Sequence, residues 1–344
     1  MQNAGRALSA AGVSRIYLIH GTFAGNDALG ILSELARVWP AASTVLRQYE
    51  KQLFDRVVGD VGNYTAGYGK LLEEALGQDI RVKLFHWSSE NHHLGRADGA
   101  VRLLAELQEY SRDVDGERDR QGARVLLWAH SHGGNVLALL TNLLGGDAES
   151  RGRFLQAART FYSSSRLGRG ADSAWETAQQ LRFTSTPLSN LRLDIVTFGT
   201  PIRYGWDTGG YDHLLHFVNH RPAEGLPPYL TRFPPSADDI LSARDGDYIQ
   251  QLGIAGTNIA PNALAWRSAL ADLRLHRLLQ SGVRKKDLLK RLRLGQRVPD
   301  EGTTVLVDYG DPRGNILEHV AGHAVYTTTD WMLFHAEQVA QQYA

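Results

Sequence analysis

Residues 124–146 limit the possible folds more than any other stretch. Arg124-Val125-Leu126-Leu127-Trp128 is a run of strand length with almost nothing to show to water, so it belongs in a sheet covered on both faces. A helical pattern follows at once in Asn135, Val136, Leu137, Ala138, Leu139, Leu140, Leu143 and Leu144, and Gly145-Gly146 stops it. Between them lies Ala129-His130-Ser131-His132-Gly133, a small-x-Ser-x-Gly spacing. A chain that turns this sharply needs small residues two places before and two places after the serine, where larger side chains would strike backbone. Ser131 is then held at the turn, and the N–H groups and positive dipole end of the new helix point toward it.

The spacing with its strand before and helix after resembles the nucleophile elbow of the α/β-hydrolase family, and more loosely its lipase-like branches. Ala129 stands where the first glycine of that motif is usual, a variant found in some bacterial lipases of the fold. The resemblance implies a mostly parallel central sheet with helices on both faces, and helical cap insertions after the strands. It covers the core strands and says little about those insertions.

The chain has 344 residues and is read as one domain, 1–344, with cap-like insertions at about 146–190 and 229–302. Lys+Arg and Asp+Glu are both 37, so no overall charge draws the chain to nucleic acid or membrane. With no cysteine, disulfides, thiolate metal sites and thiol nucleophiles are excluded. Neither a signal-peptide core nor an apolar run of membrane-spanning length is present, so the expected location is the cytoplasm.

In order along the chain, residues 1–14 read as a short helical arm. Ile16-Tyr17-Leu18-Ile19 reads as a strand ending in His20-Gly21-Thr22. In the resembled family, a strand ending in His-Gly carries a loop whose backbone N–H supplies half of the oxyanion hole. Gly21 and Thr22 are therefore the expected loop, and the N–H of His132 the other half. Residues 26–78 are mostly helical by pattern. Strands follow at 81–87, 191–198, 213–220 and 303–309, with helices at 97–110, about 151–162 and 172–183, and one or two within 262–294. Residues 247–255 read as an extra strand. His92 and His93, with Glu90 nearby, read as loop residues and not as a metal site, because adjacent histidines rarely converge on one ion.

Acyl transfer needs a nucleophile, a base, a group that orients the base, and donors for the developing oxyanion. The order here is Gly21-Thr22, Ser131, an acid, then a late histidine, as in α/β hydrolases. His323 is the expected base, since Gly322 marks a turn that can aim its ring inward; His319 is the alternative. Phe198-Gly199-Thr200-Pro201 through Gly205 resembles the run after the corresponding strand of fungal-type lipases. Those lipases carry their acid in a Val-Asn-x-x-Asp-x-Val-Pro run, and here Val218-Asn219-His220-Arg221-Pro222 departs from it. Glu224, just past the penultimate strand, is the favoured acid and Asp207 its rival; Asp247 and Asp311 are outsiders. His130 and His132 flank the serine with side chains aimed away from it, so both are expected to be packed.

The expected activity is hydrolysis of carboxylic or lipid esters by a serine hydrolase, with no cofactor and no metal. The substrate would be a small-molecule or lipid ester. A thioesterase or amidase, and a non-catalytic interaction protein on the same fold, are the alternatives. A nucleic-acid partner is not expected. The segment 284–297 carries seven Lys/Arg against one acid, with Leu288, Leu289 and Leu292 on one face. It reads as a solvated helix face, with peripheral contact to anionic lipid as the minor reading.

Overall fold

Six strands form one parallel sheet: β1 (Val13–Ile19), β2 (Arg81–Phe85), β3 (Ala123–His130), β4 (Leu191–Phe198), β5 (His213–Asn219) and β6 (Thr303–Val307). Their order across the sheet is β2-β1-β3-β4-β5-β6. The computed structural model describes residues 2–21, 63–77, 79–115, 123–163, 172–184, 187–201, 203–253, 258, 261, 265–279, 297–312 and 319–343.

The ten α-helices among the described residues are α1 (Gln2–Ala10), α2 (Ala66–Leu76), α3 (His93–Asp115), α4 (His132–Gly145), α5 (Ala148–Tyr162), α6 (Ser173–Gln180), α7 (Ala237–Leu241), α8 (Tyr248–Gly253), α9 (Trp266–Leu279) and α10 (Met332–Tyr343). They cover both faces of the sheet. Alternate residues of each strand serve the two faces, as a period of two requires. Tyr17, Ile19, Val125, Leu127, Leu193 and Ile195 pack with α3, α4, α5 and α6. Ile16, Leu18, Leu126, Trp128, Val196 and Phe198 pack with α1, α2 and α10. All eight residues of β3 are buried, which is why its sequence reads as continuous apolarity and not as alternation.

The strand order sets where a ligand can enter. The chain passes outward from β1 to β2, then returns to the other side of β1 for β3. At such a reversal the two following connections leave on opposite faces and open a crevice at the carboxyl ends of the strands. Gly21 leaves β1 and Ser131 leaves β3 at that crevice. At the opposite end of the sheet, Arg124 and His213 hold buried Asp194 at 3.1 and 2.8 Å, tying three neighbouring strands together. Arg124 also donates to the Tyr343 carbonyl at 2.9 Å, which fastens the end of α10 there.

The elements mostly lie where periodicity puts them, with two differences. The segment after Asp247 is the short helix α8 and not a strand: the Asp247 side chain accepts the Gln250 N–H at 2.8 Å and caps its first turn. Helix α3 begins at His93 and not at Ala97, so His93 belongs to a packed helix end and not to a loop. Of the expected helices at 26–78, α2 is described and the rest lies outside the described residues, as does 284–296 of the basic segment. Among the described residues no helix is long and apolar enough to cross a membrane.

Candidate functional site

Ser131 sits between β3 and α4 with φ 52° and ψ −131°, a backbone conformation that L-residues rarely adopt. Neighbouring backbone holds it there. Its N–H donates to the Phe198 carbonyl at 2.9 Å, and its carbonyl accepts from Gly134 N–H at 3.0 Å and Thr200 Oγ1 at 2.8 Å. The glycine of the motif is required by distance, since a Cβ on Gly133 would lie 2.7 Å from the His20 carbonyl oxygen and 2.9 Å from that of Ile19, and two glycines beside the motif are confined in the same way. A Cβ on Gly134 would lie 2.1 Å from Thr200 Oγ1, and one on Gly21 would lie 2.6 Å from Ser131 Cβ and 3.3 Å from its Oγ. The Ser131 hydroxyl is buried and has no hydrogen-bond partner among the described residues. A buried polar atom left so is costly in a structural role, so it marks the residue for another.

The end of β1 is fixed against this turn. His20 Nε2 accepts from the Trp87 N–H at 3.4 Å, so Nδ1 carries the proton and donates to the Gly21 carbonyl at 2.9 Å. Trp87 Nε1 donates to the His20 carbonyl at 2.9 Å. Burial pushes the His20 imidazole below its ordinary value, which keeps this neutral tautomer. Thr22 lies outside the described residues.

His323 is fully buried, and its Nδ1 lies 2.7 Å from Oδ2 of fully buried Asp247. Asp247 accepts two further hydrogen bonds, from Tyr326 OH at 2.9 Å and from Gln250 N–H at 2.8 Å. Tyr326 in turn accepts the Asn219 N–H at 2.7 Å, so the carboxylate is braced from the end of β5. The His323 carbonyl lies 3.2 Å from His130 Nε2, and the two imidazole rings are 4.6 Å apart. A Cβ on Gly199 would strike Tyr326 and Asp247 at 2.5 and 2.6 Å, and Gly199 joins Phe198 and Thr200, the two residues that clasp the Ser131 backbone. The serine turn and the histidine–carboxylate pair thus border the same end of β4.

The structure pairs His323 with Asp247 and with neither of the acids ranked ahead of it. Glu224 is exposed in the turn after β5. Asp207 caps a one-turn helix, its Oδ1 accepting Gly209 N–H at 2.9 Å. His319 accepts Gly322 N–H at 3.3 Å and lines a cavity of about 510 Å³ with Asn219, Tyr309 and Trp331. Asp247 ranks low in the sequence because the chain takes a detour. Residues 221–245 loop out and return, so that Gly246 bridges to His220 and Asp247 N–H donates to the Asn219 carbonyl at 2.9 Å. Buried Arg297 clamps the loop closed, donating to the Asn219 and Asp245 carbonyls at 2.8 and 2.7 Å. In space Asp247 stands at the end of β5, the station expected of the acid. The available signal was Gly246 before Asp247, the same glycine-then-polar arrangement as Gly322-His323.

His132 opens α4, and its Nδ1 accepts from Asn135 Nδ2 at 3.1 Å. Burial first, then the nearby Arg96 and Arg203 charges, hold its imidazole well below the ordinary range. His92 and His93 are likewise accounted for: His92 Nδ1 accepts Gly95 N–H at 2.8 Å, and His93 lies 2.9 Å from Tyr204 OH and 3.1 Å from His276. Among the described residues no group of three or more side chains is placed to hold a metal ion. No protein family, no curated protein and no solved structure matches the chain.

Proposed function

We propose that the chain is a serine hydrolase of the α/β-hydrolase type, cleaving carboxylic or lipid esters through an acyl-enzyme intermediate. One observation carries the reading: a buried His323–Asp247 pair packed on His130, whose next residue is a serine held at positive φ between a parallel strand and a helix. In this reading Ser131 is the nucleophile and His323 the base. Its Nδ1–H is donated to Asp247, which leaves Nε2 as the basic nitrogen that a proton transfer from Ser131 requires. Asp247 orients the ring and stabilises the imidazolium once it forms. Tyr326 and the Gln250 N–H keep that carboxylate in place.

The negative charge that develops on the carbonyl oxygen needs donors. The N–H of His132, at the start of α4, has no intrahelical acceptor, which suits it to this role. The loop at Gly21-Thr22 would supply the second donor, and the absence of a side chain on Gly21 leaves room beside Ser131 Oγ. The parallel sheet and its switch point support assignment to the fold type.

A fluorophosphonate probe tests the reading. It should form one adduct, on Ser131, and Ser131→Ala should lower turnover of short p-nitrophenyl esters by about 10⁴–10⁶ with the fold intact. A folded protein that neither reacts nor hydrolyses any ester, thioester or amide would instead be a non-catalytic relative of the fold.

A further inference from the structure

Helices α5 and α9 lie side by side and form a groove of about 830 Å³. Arg153, Arg182, Arg274 and Arg277 line it, against one carboxylate, Glu149, which is already paired with Arg153. Arg274 and Arg277 make no ion pair among the described residues. Large apolar side chains stand exposed on α9 and nearby: Trp266 at 60% and Leu273 at 43% on α9, and Phe183 at 75% beside Arg182 in the turn after α6. On α9, Trp266, Leu273, Arg274 and Arg277 recur at i, i+7, i+8 and i+11, one stripe of a helix, while Ala271, Asp272 and Leu275 on the opposite side are buried. An ordinary solvated face would carry charge of both signs and no large exposed ring.

From this juxtaposition we infer that the α5–α9 face is a docking surface for a bilayer rich in anionic phospholipid. Arginine guanidinium groups pair in forked fashion with phosphate oxygens, and four of them converge on one groove. The exposed tryptophan and leucine on the α9 stripe and the phenylalanine next to Arg182 have the size and polarity to settle among headgroups and upper acyl chains. Two observations favour a bilayer over single-stranded nucleic acid. Leu273 is aliphatic and cannot stack on a base. Each exposed ring already carries a guanidinium over one face, Arg267 at 5.2 Å from the Trp266 ring and Arg182 at 4.9 Å from the Phe183 ring. The inference does not depend on the chemistry of Ser131.

Co-sedimentation with large vesicles tests it, with phosphatidylcholine alone compared against phosphatidylcholine containing about a third phosphatidylglycerol at ~0.1 M salt. The full chain should partition at least about 30-fold better onto the anionic vesicles, and the gain should vanish near 1 M salt. R274Q/R277Q should lose about 30-fold of that partitioning, W266A about tenfold, and K70Q/R81Q, which removes as many exposed charges elsewhere, less than about twofold. Equal partitioning of wild type onto both vesicle types would overturn the inference without recourse to any variant. So would equal losses for R274Q/R277Q and K70Q/R81Q. Salt-sensitive retention of a single-stranded oligonucleotide, lost in R274Q/R277Q and unaccompanied by vesicle binding, would reassign the face to nucleic acid.

Discussion

Replacing Asp247 by asparagine changes almost nothing in shape and should remove most of the activity. The carboxylate accepts three donors, from His323 Nδ1 at 2.7 Å, Tyr326 OH at 2.9 Å and Gln250 N–H at 2.8 Å. An amide has one oxygen to offer them, and its NH₂ must oppose one of the N–H or O–H groups. The lowest-cost rearrangement turns His323 to the other tautomer, which puts a proton on the nitrogen that has to receive one. The charge also matters. A carboxylate at about 4 Å from an imidazolium is worth roughly 4 kcal/mol at a protein-like dielectric, a factor near 10³ in rate. Together the two effects put the expected fall in kcat at ~10³–10⁴, with KM little changed. The assay is steady-state hydrolysis of a p-nitrophenyl ester, with denaturant midpoints to show that the fold persists. Glu224→Gln is the matched control: the side chain is exposed, so kcat should move by less than about twofold. A kcat for Asp247→Asn within about tenfold of wild type, or a hundredfold loss in Glu224→Gln, would refute the assignment.

Gly21→Val should cut kcat by about 10²–10³ in the same assay, since even its Cβ would lie 2.6 Å from Ser131 Cβ; an unchanged kcat would place the β1 loop away from the chemistry. Ser131→Gly should abolish turnover and yet raise unfolding stability by ~1 kcal/mol in urea, because glycine adopts φ 52° without strain; a less stable mutant would show that the turn is not strained. Acid should destabilise the fold through buried neutral histidines. Burial pushes His335 down to about 3 and His216 to about 4, so their contribution is complete above the ordinary histidine value and is lost as pH falls from there toward the folded values. By about pH 4.5 each costs roughly 2–3 kcal/mol. His335→Gln removes one titration, keeps an acceptor for Tyr309 OH, and should flatten the pH dependence of Tm by about one proton; an unaltered slope would count against it.

Sheet strands and the serine turn were legible because each is local. Buried parallel strands need unbroken apolar runs, and a sharp strand-to-helix turn needs small residues at fixed offsets, so β3, Ser131 and α4 are written in one contiguous stretch. His323 stands out in the sequence through its position after the last strand and its preceding glycine, and the structure pairs it with a buried carboxylate. Asp247 does not stand out, because its place beside Asn219 is created by a loop that closes in space through Arg297, and no periodicity encodes such a closure. Tyr326 escaped for a different reason: a tyrosine that braces a carboxylate reads in sequence as one more aromatic core residue. The end of a strand in space and the end of a strand in sequence were taken to be the same place. Here they differ by a whole excursion.

The clamp by Arg297 also bears on when the chain becomes competent. Ser131 and its supporting turn are complete once β1, β3 and β4 have met, all within the first 200 residues. Arg297 precedes β6, and His323 and Tyr326 follow it, so the His323–Asp247 pair waits for the last strand to dock against β5 and for the final turns before α10. During synthesis from the N-terminus, a chain holding its serine in final geometry would still lack His323 and the carboxylate that His323 pairs with. As a hydrolase, the protein would therefore stay latent on the ribosome and in every truncated product, and turnover would report that the C-terminal third has folded.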